Sequence, residues 1–441
     1  MAYTGKALEV FLETGTRFPR RIIWAMGLIK YAAAKANMEL GLLDPARAEA
    51  IMRAALEVAE GVHDDKIVVD VFQTGSGTGL NMNVNEVIAV RASQISGLKV
   101  HPNDHVNMGQ SSNDVVPTAI RVALAYEVER RLLPVLDRVA ASLDSLASRT
   151  EGVVKPGRTH LRDALPVTMG QEFSAYSDAY RRGRSLLEFS YKLLLEVPLG
   201  GTAVGTGLNA HPDYPMLAVN ILRDVTGLEL KTASSKFRAM RLLSDIVAVS
   251  SALKVVALDT WRLCQDLRLM YSGPNTGFNE IDIPQEIAGS SMMPGKVNPV
   301  TVEAVMQATS HVIGLDTSIT MASLLGEFEL SMGIPLAGYA SLRQVQLLAE
   351  SLDKLSTLVL DRVKPNVERA RRLAESSQAL VTLVAPIIGY DRVAEISKAV
   401  YEGKSVRDAL REAGFSEDFI SRLLDLEKLT RPGIPALEHQ R

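Results

Sequence analysis

His160, in the polar run Gly157-Arg-Thr-His-Leu-Arg-Asp163, is the evident side chain able to take or give a proton near neutral pH. Lys296, in Gly289-Ser-Ser-Met-Met-Pro-Gly-Lys-Val-Asn298, supplies a positive charge for a carboxylate, and Glu303 lies one turn into the helix that Pro299 opens, where it can orient a histidine. A third polar run is His101-Pro-Asn-Asp-His-Val-Asn-Met-Gly-Gln-Ser-Ser-Asn-Asp114, with Pro117 close behind, and Pro166 follows the His160 run. Proline at a first helical position wastes no amide hydrogen, and Asn298 is a good N-cap. Three polar loops are therefore expected at helix N-termini, where free N–H groups and the helix dipole favour an anion. A fourth, Gln73-Thr-Gly-Ser-Gly-Thr-Gly79, brings backbone close to whatever it binds. Ser, Thr and Asn before a helix are commonly caps and nothing more, and it is their recurrence in four loops that points to a ligand. The chemistry these groups suit is acid and base catalysis on an anionic substrate.

Cofactor sites find little support. The Gly-rich loop lacks the GxGxxG spacing and strand context of a dinucleotide site, and in Gly289–Lys296 five residues separate the glycines while Val297 stands where a P-loop needs Ser or Thr. Of seven histidines only His63, in Glu60-Gly-Val-His, has Glu-x-x-His spacing; a di-iron bundle needs two such motifs, so it reads as a solvated helix face. The single cysteine, Cys264, excludes an internal disulfide framework and a thiolate-rich metal centre. With 48 Lys and Arg against 51 Asp and Glu, the charges nearly cancel, so no basic field is present to hold nucleic acid or an anionic membrane. No apolar run is long enough for a signal peptide or a membrane span, and a soluble, cytoplasmic protein is expected.

The elements that position these loops read as long helices. No Gly or Pro occurs between Gly227 and Gly273, and apolar residues there recur at three and four spacing, which predicts one helix from about Ser235 to Tyr271. Similar helices are predicted for 119–149, 166–196, 299–325 and 340–363. Helices this long pack side by side as a bundle, and the apolar faces left over call for a homo-oligomer. After Lys364-Pro365-Asn366 the helices shorten, to 367–375, 393–402 and 406–413. An N-terminal helical domain is expected over 1–112, a central long-helix domain over 113–365 and a small helical domain over 366–441.

The loops also carry a resemblance. GSSMMPGKVNP at 289–299, QTGSGTGLNMNVNEV at 73–87, HPNDHVNMGQSSND at 101–114, GRTHLRDALPVTMGQEF at 157–173 and GGTAVGTGLNAHPDY at 200–214 resemble, in order, the class II fumarases of the fumarase/aspartase superfamily. The likeness implies an all-α, three-domain fold, a homotetramer around a central helix bundle, active sites shared by three subunits, and addition of water to a small dicarboxylate, fumarate, giving L-malate. No metal or other cofactor is implied. Carried over by motif, Ser290 is the base that takes the proton next to a carboxylate, which requires its alkoxide to be stabilised by N–H groups and Lys296. The aci-carboxylate would be held by Lys296, Asn298, Ser76, Thr78, Ser111, Ser112 and Asn113. His160, beside Thr159 and paired with Glu303, would assist the water at the other carbon. Ser111-Ser112-Asn113, Met293-Pro-Gly-Lys296 and Gly200-Gly201-Thr202 lean towards fumarase, with an aspartase or a silent structural relative as alternatives.

The pattern is not followed everywhere. Val300-Thr-Val-Glu303 replaces Thr-Gln-Cys-Glu, and Glu329-Leu-Ser-Met-Gly-Ile-Pro335 replaces Glu-Leu-Asn-Val-Phe-x-Pro. The family's secondary carboxylate site keeps His101, Asn103 and Asp104 here, but Leu98 stands in place of its arginine, and Lys99 lacks the bidentate geometry. A weak or absent secondary site is expected.

Overall fold

In the computed structural model, residues 2–284, 287 and 289–438 are described. Long helices carry the fold: Met169–Tyr191, Ser244–Tyr271, Val300–Ser323 and Ile334–Lys354, with Ser112–Glu127 and Leu133–Arg149 joined through a π-turn at Val128–Leu132. The only sheets among the described residues are four two-stranded ones. The all-α class expected from helical periodicity is what the chain adopts.

By contact density the chain divides into two compact units. The first comprises Met1–Leu136, Arg182–Leu258 and Gln307–Ser351; the second comprises Asp137–Arg181, Asp259–Met306 and Leu352–Arg441. The first is filled by fully buried aliphatic residues such as Ile22, Met26, Ile29, Ile51, Leu80 and Ile120. In the second, Val381, Leu410, Ile420 and Leu423 of the short C-terminal helices pack with Val154 into a small core of their own.

Three expected helices differ. The stretch 235–271 is broken: Lys236–Arg241 ends at Leu242 in extended conformation (φ −118°, ψ 137°), and a second helix starts at Ser244. The break follows from Arg121, a fully buried guanidinium that takes Asp245 through Nε (2.7 Å) and Nη2 (3.1 Å) and donates to Leu242 O (3.2 Å). An unbroken helix would spend that carbonyl on its own ladder and leave the guanidinium short of an acceptor.

The stretch 166–196 begins as a strand, because Pro166-Val-Thr168 pairs with Val154–Pro156 in an antiparallel hairpin. The helix then opens at Met169 behind a reciprocal cap: Gln171 N–H donates to Thr168 Oγ1 (3.1 Å) and Thr168 N–H to Gln171 Oε1 (2.9 Å). The third helix starts at Ser112, earlier than residue 119, so Pro117 lies inside it. His63 is not on a solvated helix face. Its helix ends at Glu60 with left-handed Gly61, and the buried imidazole Nε2 meets Glu57 Oε2 at 2.8 Å.

Candidate active site

In the second unit, His160 sits at the tip of the hairpin Val154–Thr159/Arg162–Thr168, not at a helix N-terminus. His160 and Leu161 both have positive φ (54° and 56°), the geometry of a two-residue turn matched to strand twist. A branchless glycine is the usual choice there, so a histidine and an exposed leucine in those places are held by the strands beneath. The hairpin is anchored by charge. Glu280, fully buried, takes Arg158 at 2.8 Å and Lys155 at 3.3 Å, and Lys155 also donates to Glu172 at 2.8 Å. Burial raises the Glu172 carboxyl above the usual range, with Lys155 pulling it back. The Arg158 guanidinium lies over the Phe278 ring at 4.2 Å. His160 and these residues line a cavity of about 370 Å³ that Tyr176 also faces. Thr159, at the exposed strand end, lies next to His160.

Ser290 and Lys296 belong to a loop that closes on itself. Gly289 N–H donates to Lys296 O (3.1 Å), Lys296 N–H to Met293 O (3.2 Å), and Asn298 Nδ2 to Gly289 O. A Cβ on Gly289 would lie 2.4 Å from Asn298 N, so this closure needs glycine. Asn298 therefore clamps the loop with its amide. Ser290 Oγ accepts two backbone N–H groups, from Met293 (3.0 Å) and Met292 (3.2 Å). Donors so placed would stabilise negative charge on that oxygen. Lys296, Asn298 and Glu303 line a second cavity of about 620 Å³, with Arg268, Tyr271 and Asp282. The Glu303 carboxylate faces Arg268 Nε at 4.0 Å. His160 and Glu303 thus line separate cavities of one chain.

In the first unit, Gly77 (φ 77°) turns the Gly-rich loop into the helix Thr78–Ser96, so this loop too feeds a helix start. Ser76 Oγ and Thr78 Oγ1 share a hydrogen bond of 2.8 Å. Ser111 caps the helix Ser112–Glu127, with Oγ accepting Asn113 N–H at 3.2 Å. Ser112 is buried, and its Oγ accepts Asn81 Nδ2 at 3.1 Å; Asn113 Nδ2 donates to Ala203 O at 2.8 Å. His101 Nδ1 faces Asn103 N–H (3.3 Å), Asp104 N–H (3.1 Å) and the Asp104 carboxylate (3.2 Å). It caps its own turn.

A lyase family model matches residues 1–314, and a model of the fumarase C C-terminus matches residues 380–431. A fumarate hydratase class II of Saccharolobus solfataricus is 56% identical over 438 residues, 99% of this chain and 100% of that protein. The chain belongs to the class II fumarate hydratase family. A second class II fumarate hydratase, from Xylella fastidiosa, is 43% identical over 98% of this chain and 92% of its own length. Among solved structures, the class II fumarase of Schistosoma mansoni superposes with a TM-score of 0.94 at 32% identity, covering 98% of this chain and 95% of that one. The relatives carry the hydratase name, so the aspartase alternative is not favoured.

Sequence reading missed the residues that hold these loops up: Lys155, Arg158 and Glu280 under the hairpin, and Asp114 under Ser111. The Ser111-x-x-Asp114 spacing of a capping box signals the last of these. Nothing local signals Glu280, because its partners lie over a hundred residues away.

Proposed function

We propose that this chain catalyses the reversible addition of water to fumarate, giving L-malate. The full-length identity of 56% to a fumarate hydratase carries the reading, and the polar loops retain every group the reaction needs. Ser290 takes the proton from the carbon next to a carboxylate, and its alkoxide is stabilised by the Met292 and Met293 N–H groups with Lys296 nearby in the loop. The carboxylate that becomes electron-rich is held by Lys296, Asn298, Ser76, Thr78, Ser111, Ser112 and Asn113. Addition or departure of water at the other carbon is assisted by His160 with Thr159 beside it. The active enzyme is a homotetramer, and Glu303 pairs with His160 of the partner subunit. The separate cavities of His160 and Glu303 within one chain support this sharing. His101, whose Nδ1 is occupied by its own turn, supports a weak secondary site with Asn103 and Asp104.

The test follows fumarate absorbance with malate and, separately, with aspartate as substrate. Turnover of malate is expected; turnover of aspartate alone, or of neither, would overturn the reading.

A further inference from the structure

Asp114 ends the run Ser111-Ser112-Asn113-Asp114 and has no exposed surface. A carboxylate so placed needs partners for its charge and its lone pairs. It accepts Ser111 N–H at Oδ1 (2.9 Å), and at Oδ2 both Gly200 N–H (3.0 Å) and Thr202 N–H (2.9 Å). Lys30, equally buried, supplies the counter-charge from the helix Arg20–Glu39, and its Nζ is held by Asn107 Oδ1 and Gln110 Oε1, each at 2.9 Å. Tyr214 is the other titratable side chain whose charge interaction with Asp114 is felt. Burial pushes the Asp114 carboxyl up to about 6, against the pull of its N–H donors and Lys30; burial pushes Lys30 down to about 7, against the pull of Asp114.

The same network reaches the polar residues above it. Asn107 Oδ1 also accepts Asn81 Nδ2 and Asn85 Nδ2, each at 3.2 Å, and Asn81 Nδ2 donates to Ser112 Oγ. On the other side, Asn113 Nδ2 donates to Ala203 O. The turn that receives these contacts is conformationally costly at Thr202, a β-branched residue with φ 56°, while Gly200 takes φ 88° as only glycine readily does. A Cβ on Gly200 would meet Pro215 Cγ at 2.4 Å. Opposite charges buried without direct contact are weak evidence for stability, because desolvation offsets most of the attraction. Its contribution here is placement.

We propose that Asp114, with Lys30 as its counter-charge, is a positioning residue that fastens the Ser111–Asn113 edge to the Gly200–Ala203 turn and so sets where its hydroxyls and amide meet the substrate carboxylate. The inference rests on the fumarate hydration reading. Without the carboxylate, the N–H groups of Ser111, Gly200 and Thr202 lose their common acceptor, and the turn loses what holds Thr202 at positive φ.

Wild type, Asp114→Asn, Ser111→Ala and the double variant are assayed on malate and fumarate as intact oligomers. Asn preserves size but sets an NH2 group against N–H donors. Its kcat/KM is expected to fall about 100-fold, chiefly through KM, as a misplaced binding group does. The double variant should lie within about threefold of the worse single variant, because both changes act through one substrate contact. A loss below about threefold in Asp114→Asn, or effects that simply multiply, would overturn the proposal. Should that variant fail to fold, amide exchange in the wild type decides. The Ser111, Gly200 and Thr202 amides are expected to be protected by about 100-fold or more, and free exchange would refute their common tether. Wild type inactive on both substrates counts against the hydration reading alone, since the exchange result still reports on Asp114.

Discussion

A serine hydroxyl is a poor base, and the interest of Ser290 lies in what surrounds its oxygen. Two backbone N–H groups point at Oγ, so the charge of an alkoxide there would meet oriented dipoles. Ser290→Ala should lower kcat by about 1000-fold or more while leaving substrate binding in place, since covalent geometry and the remaining polar groups persist. Near-normal turnover in a stopped assay of malate would reject Ser290 as base. At the opposite extreme is Cys264, fully buried in the helix Ser244–Tyr271, whose thiol burial pushes up to about 12. It should resist a thiol-disulfide reagent in the native protein and react stoichiometrically only after denaturation; labelling of the native protein, read by absorbance, would contradict that placement. Glu57 shows a third behaviour, its carboxyl held down to about 2 by the Arg91 guanidinium (2.7 and 3.0 Å), with His63 adding to the effect. A depressed carboxylate stabilises the fold above its ordinary value of 4.5, and that contribution is lost as pH falls towards about 2. Arg91→Ala should therefore lower stability above pH 4.5 and move the acid-unfolding midpoint to higher pH in a circular-dichroism titration, the difference from wild type fading as pH falls towards about 2.

At the scale of elements, the hairpin that carries His160 is held from below by Glu280 between Lys155 and Arg158. Glu280→Gln keeps the volume and removes the charge, which leaves Arg158 without its carboxylate partner in a buried place. Removing one partner of a buried pair typically costs about 3 kcal/mol, so a clear drop in the guanidinium midpoint is expected, together with reduced turnover as the hairpin tip loses its register. A midpoint within error of wild type would show that the pair does not anchor the hairpin. The helices themselves were largely legible: Val300–Ser323, Val367–Glu375 and Val406–Glu412 follow the apolar spacing and the Gly and Pro boundaries. Two misreadings have physical causes. The break at Leu242 answers to Arg121, more than a hundred residues away, and local periodicity carries no trace of that partner. The strand Arg162–Thr168 forms because Val154–Thr159 is there to pair with it, and isolated propensity cannot weigh a ladder.

For the whole molecule, long helices and their ends leave large apolar side chains such as Phe189, Trp261 and Leu324 exposed in the single chain, which a homotetramer would cover. Light scattering on the purified protein should return about four times 47.9 kDa. Leu324→Glu should weaken assembly and, with it, malate turnover, because the reading places His160 and Glu303 of different subunits at one site. A fully active monomer would exclude a shared site. Among the described residues no helix is long and apolar enough to cross a membrane.

By itself the sequence determined the helical class, the need for local rather than global capture of an anion, and the four polar loops, because these follow from residue type and spacing alone. Tertiary structure decided which loops begin helices and which one is a hairpin tip, and what lies beneath Ser111 and His160. Those features depend on partners brought together from distant parts of the chain: Glu280 for Lys155, Asp245 for Arg121, Gly200 and Thr202 for Asp114. Contacts of that separation are set by packing, which local pattern does not encode.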